Sequence, residues 1–211
     1  MIAIIDYETG NLHSVRRGLE KAGGTVSVTA DPAAVAAADA IVLPGVGAFA
    51  RGMANLDRTG LIPLIKQQVA AGIPFLGICL GMQLLFDESD EDGLHKGLGL
   101  LPGRVVRFNA GLKVPQMGWN QVAQTRPDPL WSGIPDRSYF YFVHSYYCAP
   151  TRPADTLGRT GYGVDFTAVA GAGNVFGTQF HPEKSQALGI RMLANFIKLA
   201  SGNHSGATSH A

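Results

Sequence analysis

Apolar and polar positions along the first 80 residues follow two alternating patterns. Short continuous apolar runs, such as residues 2–5, alternate with segments in which apolar side chains recur every three to four residues. This alternation is typical of parallel strands joined by helices. It predicts, in order, a strand over 1–6, a helix over 12–22, a strand over 25–29, a helix over 31–38, a strand over 39–43, helices over 49–56 and 61–71, and a strand over 74–79.

The second half of the chain follows a different pattern, with short β segments separated by proline and glycine. A glycine-rich loop between two of these segments indicates a hairpin. The halves together predict an α/β fold: a doubly wound, mostly parallel central sheet with helices on both faces and an added antiparallel section in the C-terminal half. The predicted elements here are β segments over 97–124, an aromatic strand over 139–147, hairpin strands over 166–169 and 175–180, and a helix over 185–200. We expect residues 1–200 to form a single domain and residues 201–211 to be a disordered tail.

Composition excludes several classes of protein. The 211 residues carry a net charge of +1, which gives no sign of binding to nucleic acid or an anionic membrane. The first residues lack the basic region of a signal peptide, and no apolar run reaches the roughly 20 residues of a membrane span. Cys79 and Cys148 could pair in principle, but without an export signal we expect a cytoplasmic protein with free thiols and Cys148 packed in the core.

Cys79 stands where the strand over 74–79 meets the next helical pattern. The stretch Gly77-Ile78-Cys79-Leu80-Gly81 has the Gly-x-nucleophile-x-Gly spacing of a nucleophile elbow, a strained turn that exposes a nucleophile at the top of a sheet. Glycines on both sides remove side chains that would collide across such a turn. The start of the following helix favours a thiolate over a thiol. A buried, unreactive cysteine at a strand–helix junction is the alternative interpretation.

A cysteine nucleophile needs a base, and the base needs a residue that orients it. Among the six histidines, His181 directly follows a predicted strand, where the sites of α/β sheets gather. Glu183 lies two residues further on and can hold the imidazole. Alone, His-Pro-Glu is equally a loop with a helix-capping acid, but together with the elbow it predicts a Cys79–His181–Glu183 triad. His144, inside the aromatic strand, is interpreted as a core or pocket-wall histidine.

Backbone N–H groups that stabilise an oxyanion are expected close to the cysteine. In nucleophile elbows one donor follows the nucleophile, here Leu80, and another lies in the loop after a neighbouring strand. Val46 and Gly47 of the Pro-Gly-Val-Gly loop fit that role, and its glycines permit a peptide flip that would switch the donor; a plain tight turn is the alternative. No Lys-Ser/Thr follows for a phosphate loop, and no paired Cys or His spacing supports a metal site, so neither metal nor organic cofactor is expected.

The two motifs together resemble a known family. Residues 77–83 with His181-Pro182-Glu183 are similar to the class I, triad-type glutamine amidotransferases, and the resemblance extends over roughly residues 1–200. Glu8-Thr9 is a departure, because the usual pattern there has glycine followed by a small or apolar residue. Within the class, the sequence resembles the glutaminase subunits of imidazole glycerol phosphate synthases, in stretches over 6–15, 43–49, 114–120, 141–147 and 177–185.

The resemblance implies an enzyme of histidine biosynthesis that hydrolyses L-glutamine to glutamate and ammonia through a Cys79 thioester. It implies a glutamine pocket formed by Gln83, Ser145, Tyr146 and one acid of 87–92, for which Glu91 is chosen. Ammonia would pass to a separate cyclase subunit, since this chain is too short to contain the (β/α)₈ barrel of about 250 residues that the family uses. The resulting heterodimer would make imidazole glycerol phosphate and aminoimidazole carboxamide ribotide.

Asn11, Trp119 and Lys184 are candidate residues for the interface with the cyclase, although each is equally suited to a structural or solvated role. Three other functions stay open on the residues themselves. The chain could be the glutaminase subunit of a different synthase, a freestanding cysteine hydrolase of γ-glutamyl substrates, or a binding subunit without catalytic activity.

Overall fold

The computed structural model describes residues 1–108 and 111–202, which fold around one large sheet. The predicted tail at 201–211 lies outside the described residues, apart from the two residues that end the last helix. The helices are α1 (Leu12–Lys21), α2 (Pro32–Ala36), α3 (Phe49–Arg58), α4 (Ile62–Ala70), α5 (Leu80–Leu84) and α6 (Gln186–Gly202). The strands are β1 (Ile2–Ile5), β2 (Val26–Thr29), β3 (Ala40–Gly45), β4 (Phe75–Cys79), β5 (Phe86–Ser89), β6 (His95–Lys96), β7 (Leu101–Arg107), β8 (Gln116–Gln124), β9 (Ser138–His144), β10 (Tyr146–Pro150), β11 (Thr156–Gly161), β12 (Asp165–Ala172) and β13 (Val175–Thr178).

The sheet joins a parallel half to an antiparallel half. Its order is β2-β1-β3-β4-β13-β12-β10-β7-β5-β6, with β11, β8 and β9 branching from it. Strands β2, β1, β3, β4 and β13 are parallel neighbours, whereas β12, β10 and β7 pair antiparallel. The predicted fold class is therefore confirmed. No helix in the described part of the chain is long and apolar enough to cross a membrane.

The central strands bury both of their faces. Ile2 and Ile4 of β1 face one apolar cluster, while the alternate residues Ala3 and Ile5 face another. A strand covered on both faces has no solvent side, which is why β1, β3 and β4 form continuous apolar runs in the sequence. Helices cover both clusters: α1 and α6 contribute Val15, Leu19, Leu193 and Phe196 to the first, and α3 and α4 contribute Phe49, Leu56 and Ile65 to the second.

The predicted aromatic strand over 139–147 is wrong in one respect, because the chain forms two strands there. β9 ends at His144 and β10 begins at Tyr146, and the two pair with different neighbours. β9 pairs with β8, whereas β10 pairs with β7 and β12. The chain changes direction at Ser145 so that β9 and β10 can pair with different strands. The apolar pattern predicts a strand but does not indicate which strands it pairs with.

Several shorter elements also differ from the prediction. The hairpin strands extend to Ala172 and restart at Val175, so that Gly173 and Asn174 alone form the turn. The helix after the elbow has only five residues, because Phe86–Ser89 returns to the sheet as β5. The sequence did not predict β5, β6 or β11, which are short or lie between turn-rich segments.

Glu8 occupies a backbone conformation that glycine normally takes. Its φ is +62°, in the left-handed region that glycine adopts more readily than other residues. The Glu8 carboxylate accepts a hydrogen bond from Arg58 Nη2 of α3 at 2.8 Å. Both side chains are mostly exposed, and such an ion pair adds little to stability.

Gly77 and Gly81 are required by close backbone packing at the elbow. A Cβ on Gly77 would lie 2.5 Å from the carbonyl oxygen of Gly81, and a Cβ on Gly81 would overlap the carbonyl oxygen of Leu43. Backbone atoms of β3 and α5 cannot move aside as the end of a flexible side chain can. The glycines of the motif are therefore explained by steric exclusion.

Gly81→Ala is expected to lower the free energy of unfolding by at least about 3 kcal/mol, because the methyl group meets rigid backbone. Gly23→Ala is the matched control, since Gly23 has φ +94° and open space where the Cβ would lie. That variant should lose only about 1 kcal/mol, the cost of a left-handed backbone for alanine. Urea unfolding measures both, and a Gly81→Ala protein as stable as Gly23→Ala would contradict the steric argument.

Candidate active site

Cys79 lies at the carboxyl end of β4 in a strained conformation. Its φ is +55° and its ψ is −110°, outside the regions that side-chain-bearing residues normally adopt. Its side chain is almost fully buried, and Sγ lies 3.9 Å from the carbonyl oxygen of Val143. Strain at one non-glycine residue that lines a cavity is the backbone geometry of a nucleophile elbow.

His181 and Glu183 form a buried pair near Cys79. Nδ1 of His181 and Oε1 of Glu183 are 2.8 Å apart, and the two side chains have exposures of 3% and 0%. The backbone of His181 is held in place because its N–H donates to Tyr141 O and its carbonyl accepts from the Ser185 hydroxyl. With Nδ1 bound to the carboxylate, Nε2 is the ring atom available for proton transfer.

The charge state of His181 is set by its two neighbours. Burial alone would lower the pKa of this imidazole, but hydrogen bonding and charge from Cys79 and Glu183 outweigh burial and raise the pKa from 6.5 to about 9. Nε2 has no hydrogen-bond partner of normal geometry among the described residues, although Cys79 is close enough to act on its pKa. The structure therefore brings the three predicted triad residues together, with His181 favoured as an imidazolium.

A cavity of about 370 Å³ opens over Cys79. This volume lies at the lower end of the range of roughly 300–1,000 Å³ for small-molecule sites. All the residues that the sequence placed in the oxyanion hole and the glutamine pocket line it, whereas His181 and Glu183 do not. The lining residues are Val46, Gly47, Cys79, Leu80, Gln83, Glu91, Pro115, Val143, His144, Ser145 and Tyr146.

Glu91 is the only acid of 87–92 among the residues that line this cavity. Its Oε2 accepts a hydrogen bond of 2.6 Å from the N–H of Phe49, and burial raises the pKa of the carboxyl. Asp87 is engaged instead by the N–H of Gly103, while Glu88 and Asp90 pair with Arg104. A carboxylate on the cavity wall is suited to bind the ammonium group of an amino acid.

Gln83 and Gln179 form a buried amide pair beside the nucleophile. Gln83 Nε2 donates to Tyr146 O at 3.1 Å and to Gln179 Oε1 at 3.2 Å. Gln179 Nε2 in turn lies 3.9 Å from Cys79 Sγ. The sequence analysis missed Gln179, although it stands two residues before His181. A polar residue in the middle of an otherwise apolar strand end was the signal that could have identified it.

Val46 and Gly47 lie in the turn that leaves β3, directly beside the elbow. Gly45, the last residue of β3, pairs with Cys79. Gly47 has φ +101° and nothing within 4 Å of an added Cβ, and Val46 is 45% exposed. These two residues and Leu80 line the same cavity as Cys79.

His144 is a neutral histidine in an aromatic cluster. Its ring lies 5.2–5.7 Å from the rings of Phe108, Phe142 and Phe166. Nδ1 lies 2.7 Å from Tyr146 O, and burial lowers the pKa of the ring to about 4. His144 thus belongs both to the core and to the cavity wall, as the sequence indicated.

The three candidate interface residues are exposed but differ in their contacts. Asn11 caps α1, since its Oδ1 accepts from the N–H of Ser14 at 3.3 Å. Trp119 is 46% exposed and packs edge-on against Tyr141. Lys184 lies on the exposed side of the short 3₁₀ turn that carries Glu183.

Cys148 is a buried free thiol, as is Cys79, so the two do not form a disulfide. Burial raises the pKa of Cys148 well above its ordinary value, which keeps it a neutral core residue. A thiol in that state is a poor nucleophile.

Comparison with known proteins agrees with the architecture and the motifs. Residues 3–199 match the glutamine amidotransferase class-I family. The chain is 54% identical over 198 residues to the imidazole glycerol phosphate synthase subunit HisH of Desulfitobacterium hafniense strain Y51, covering 94% of each chain, and 52% identical over 209 residues to that of Moorella thermoacetica, covering 99% of each. The fold matches the structure of PurLQS from Thermotoga maritima with a TM-score of 0.73 at 19% identity, over 96% of this chain and 98% of that one. The chain therefore belongs to the class-I glutamine amidotransferase family.

Proposed function

We propose that this chain is the glutaminase subunit of imidazole glycerol phosphate synthase in histidine biosynthesis, which hydrolyses L-glutamine and delivers ammonia to a cyclase subunit. The observation that carries the chemistry is the strained Cys79 beside the buried His181–Glu183 pair, under a cavity with a carboxylate on its wall. The choice of synthase is supported by relatives named HisH that are more than half identical along nearly the whole chain.

Glutamine hydrolysis proceeds in two halves. In the first, Sγ of Cys79 attacks the side-chain amide carbon, and the electron pair of the carbonyl moves onto its oxygen. N–H groups of Leu80 and of the Val46–Gly47 turn stabilise this oxyanion, and in comparable enzymes the loss of one such donor costs about 3–4 kcal/mol. His181 gives its Nε2 proton to the departing nitrogen, the C–N bond breaks, and ammonia leaves behind a γ-glutamyl thioester.

The second half releases glutamate. His181, now neutral, takes a proton from water as the water attacks the thioester carbon, and the C–S bond breaks to return the thiolate. Glu183 holds the imidazole so that Nε2 stays directed at the reacting atoms, and its charge stabilises the imidazolium. The thiolate–imidazolium pair is thus restored after each turnover.

Substrate recognition is assigned to the cavity wall. Glu91 binds the α-ammonium group of glutamine, and Gln83, Ser145 and Tyr146 surround the rest of the amino acid. Because Gln83 already donates both amide hydrogens within the protein, its carbonyl oxygen is the atom that remains for the substrate.

Ammonia requires a protected route, since in neutral water it becomes ammonium and loses its nucleophilic electron pair. We infer that the acceptor is a separate cyclase subunit of (β/α)₈ barrel fold, bound as a heterodimer, with Asn11, Trp119 and Lys184 at the interface. The exposed Met117, Trp119 and Tyr139 on β8 and β9 support an apolar docking surface. Two free thiols fit a reducing cytoplasm.

The purified chain alone is expected to release glutamate from glutamine slowly, and a cyclase subunit with its nucleotide ligand should raise kcat at least roughly a hundredfold by completing the oxyanion hole. Cys79→Ala should abolish activity in the complex. Cys148→Ala is the matched control, because it removes the other buried thiol and should leave kcat unchanged. High activity of the chain alone, unaffected by the cyclase, would point to a freestanding hydrolase instead.

Glu91→Gln should raise KM for glutamine by roughly 10- to 100-fold, the value of a hydrogen bond to a charged group, with a smaller effect on kcat. The amide keeps an acceptor for the N–H of Phe49 but loses the charge that binds ammonium. Asp92→Asn is the control, since it removes a neighbouring charge that does not line the cavity. An unchanged KM in Glu91→Gln would remove Glu91 from the substrate site.

Stability should fall between pH 6.5 and pH 9 through His181. Its pKa is about 9 in the folded chain against 6.5 for the ordinary value, so the stabilisation is complete below pH 6.5 and is lost as pH rises through 9. Urea unfolding at pH 6 and pH 9 should differ by on the order of 2–3 kcal/mol from this group. Glu183→Gln should reduce that difference and lower kcat by about 10²–10⁴. An equal difference in both proteins would contradict the role of Glu183.

A further inference from the structure

The segment between β3 and α3 supplies one side of the expected oxyanion hole but has little support of its own. It consists of Val46, Gly47 and Ala48, here called the 46–48 loop. Among the described residues, no side chain hydrogen-bonds to the backbone of Val46 or Gly47. The position of the loop is therefore decided by how its two ends are held.

At the start of the loop, the β1 side of β3 is hydrogen-bonded by a side chain, because the backbone pairing with β1 has already ended. The pairing of β1 with β3 ends at Ile4 and Val42, while β3 continues to Gly45. The carbonyl of Pro44 thus lies beyond the last backbone partner that β1 offers. The hydroxyl of Tyr7, two residues past the end of β1, donates a 2.6 Å hydrogen bond to this carbonyl oxygen.

Tyr7 is fitted closely against the strand end. It is 1% exposed, and a Cβ on Gly45 would overlap its hydroxyl oxygen. A Cβ added to Gly10 would lie 3.5 Å from the backbone of Gly45, so this segment also packs closely against the end of β3. Burial raises the pKa of Tyr7 well above its ordinary value, so the hydroxyl remains protonated and remains a donor.

The far end of the loop is held independently. The helix cap Ala48 makes no side-chain hydrogen bond, and the first helical N–H, that of Phe49, donates to Glu91 at 2.6 Å. Glu91 also lines the cavity, so its substitution changes substrate binding as well as the loop. Tyr7 does not line the cavity, which makes it the residue through which the loop can be tested separately.

We propose that Tyr7 is a positioning residue for glutamine hydrolysis, whose hydroxyl fixes the Pro44 carbonyl and so places the N–H groups of the 46–48 loop against the developing oxyanion. The role rests on the proposed glutaminase function. It predicts a specific kinetic signature, because an oxyanion exists in the transition state and not in bound glutamine. Loss of the hydroxyl should lower kcat and leave KM unchanged.

The test compares Tyr7→Phe with Tyr162→Phe in the full chain bound to the cyclase and its nucleotide ligand. Tyr162 is the matched control, since its hydroxyl also donates a 2.6 Å bond to a backbone carbonyl, that of Lys113, outside the catalytic cavity. Tyr7→Phe should lower kcat roughly tenfold, the size of one neutral hydrogen bond, with KM within about twofold of wild type. Tyr162→Phe should change neither, and alkylation of Cys79 by iodoacetamide should be equal in all three proteins.

A second measurement does not depend on turnover. Hydrogen exchange of the backbone amides over residues 45–49 in the chain alone should be faster in Tyr7→Phe than in Tyr162→Phe or wild type. A Tyr7→Phe protein that loses stability but keeps both its kcat and its exchange rates would overturn the proposal and leave Tyr7 a packing residue. If the wild-type complex hydrolyses no glutamine, the proposed function fails. In that case the exchange measurement alone still tests the positioning role, and equal exchange rates over residues 45–49 in Tyr7→Phe and wild type would reject it.

Discussion

The site depends on one crowded backbone crossing, where β3, β4 and the first turn of α5 approach each other without intervening side chains. The strained, positive-φ conformation of Cys79 persists because the strands on both sides hold the turn in place. Gly77 and Gly81 are the points of closest approach, and an added methyl group at either would meet main-chain atoms. The strain that exposes the thiol to the cavity is thus sustained by packing within the sheet.

The neighbouring groups decide the charge state of each buried histidine. A buried imidazole would ordinarily lose its proton, but the carboxylate of Glu183 and the neighbouring Cys79 reverse that tendency at His181. His144 shows the opposite outcome on the same strand system: it lies among aromatic rings without a carboxylate, and its pKa falls to about 4. The two buried histidines differ because only His181 has Cys79 and a carboxylate beside it to raise its pKa.

The sequence predicted the parallel half of the sheet and the triad because both depend on short stretches of consecutive residues. Continuous apolar runs identify strands buried on both faces, and the Gly-x-Cys-x-Gly and His-Pro-Glu motifs place their side chains at strand ends. The break at Ser145, the amide of Gln179 near Cys79 and the contact of Tyr7 with Pro44 were not predicted. Each depends on which distant segments become neighbours, and a single sequence without pairing information does not specify this. The choice of Glu91 among the five acids of 87–92 came from the resemblance, whereas its place on the cavity wall and the contacts that engage Asp87, Glu88 and Asp90 elsewhere are visible only in the structure.

The position of β4 between β3 and β13 also has a consequence for the order of folding. β13 enters the sheet from near the end of the chain, and Cys79 and Gln179 are 100 positions apart. Closing so long a loop costs entropy before the contacts it creates can compensate, so such pairings form slowly. The first β-α units can form early from neighbouring segments, but the histidine and its carboxylate join the cysteine only when β13 docks. A nascent or partly folded chain therefore carries an unpaired thiol without its acid–base partner, and hydrolytic competence arises only on completion of the sheet.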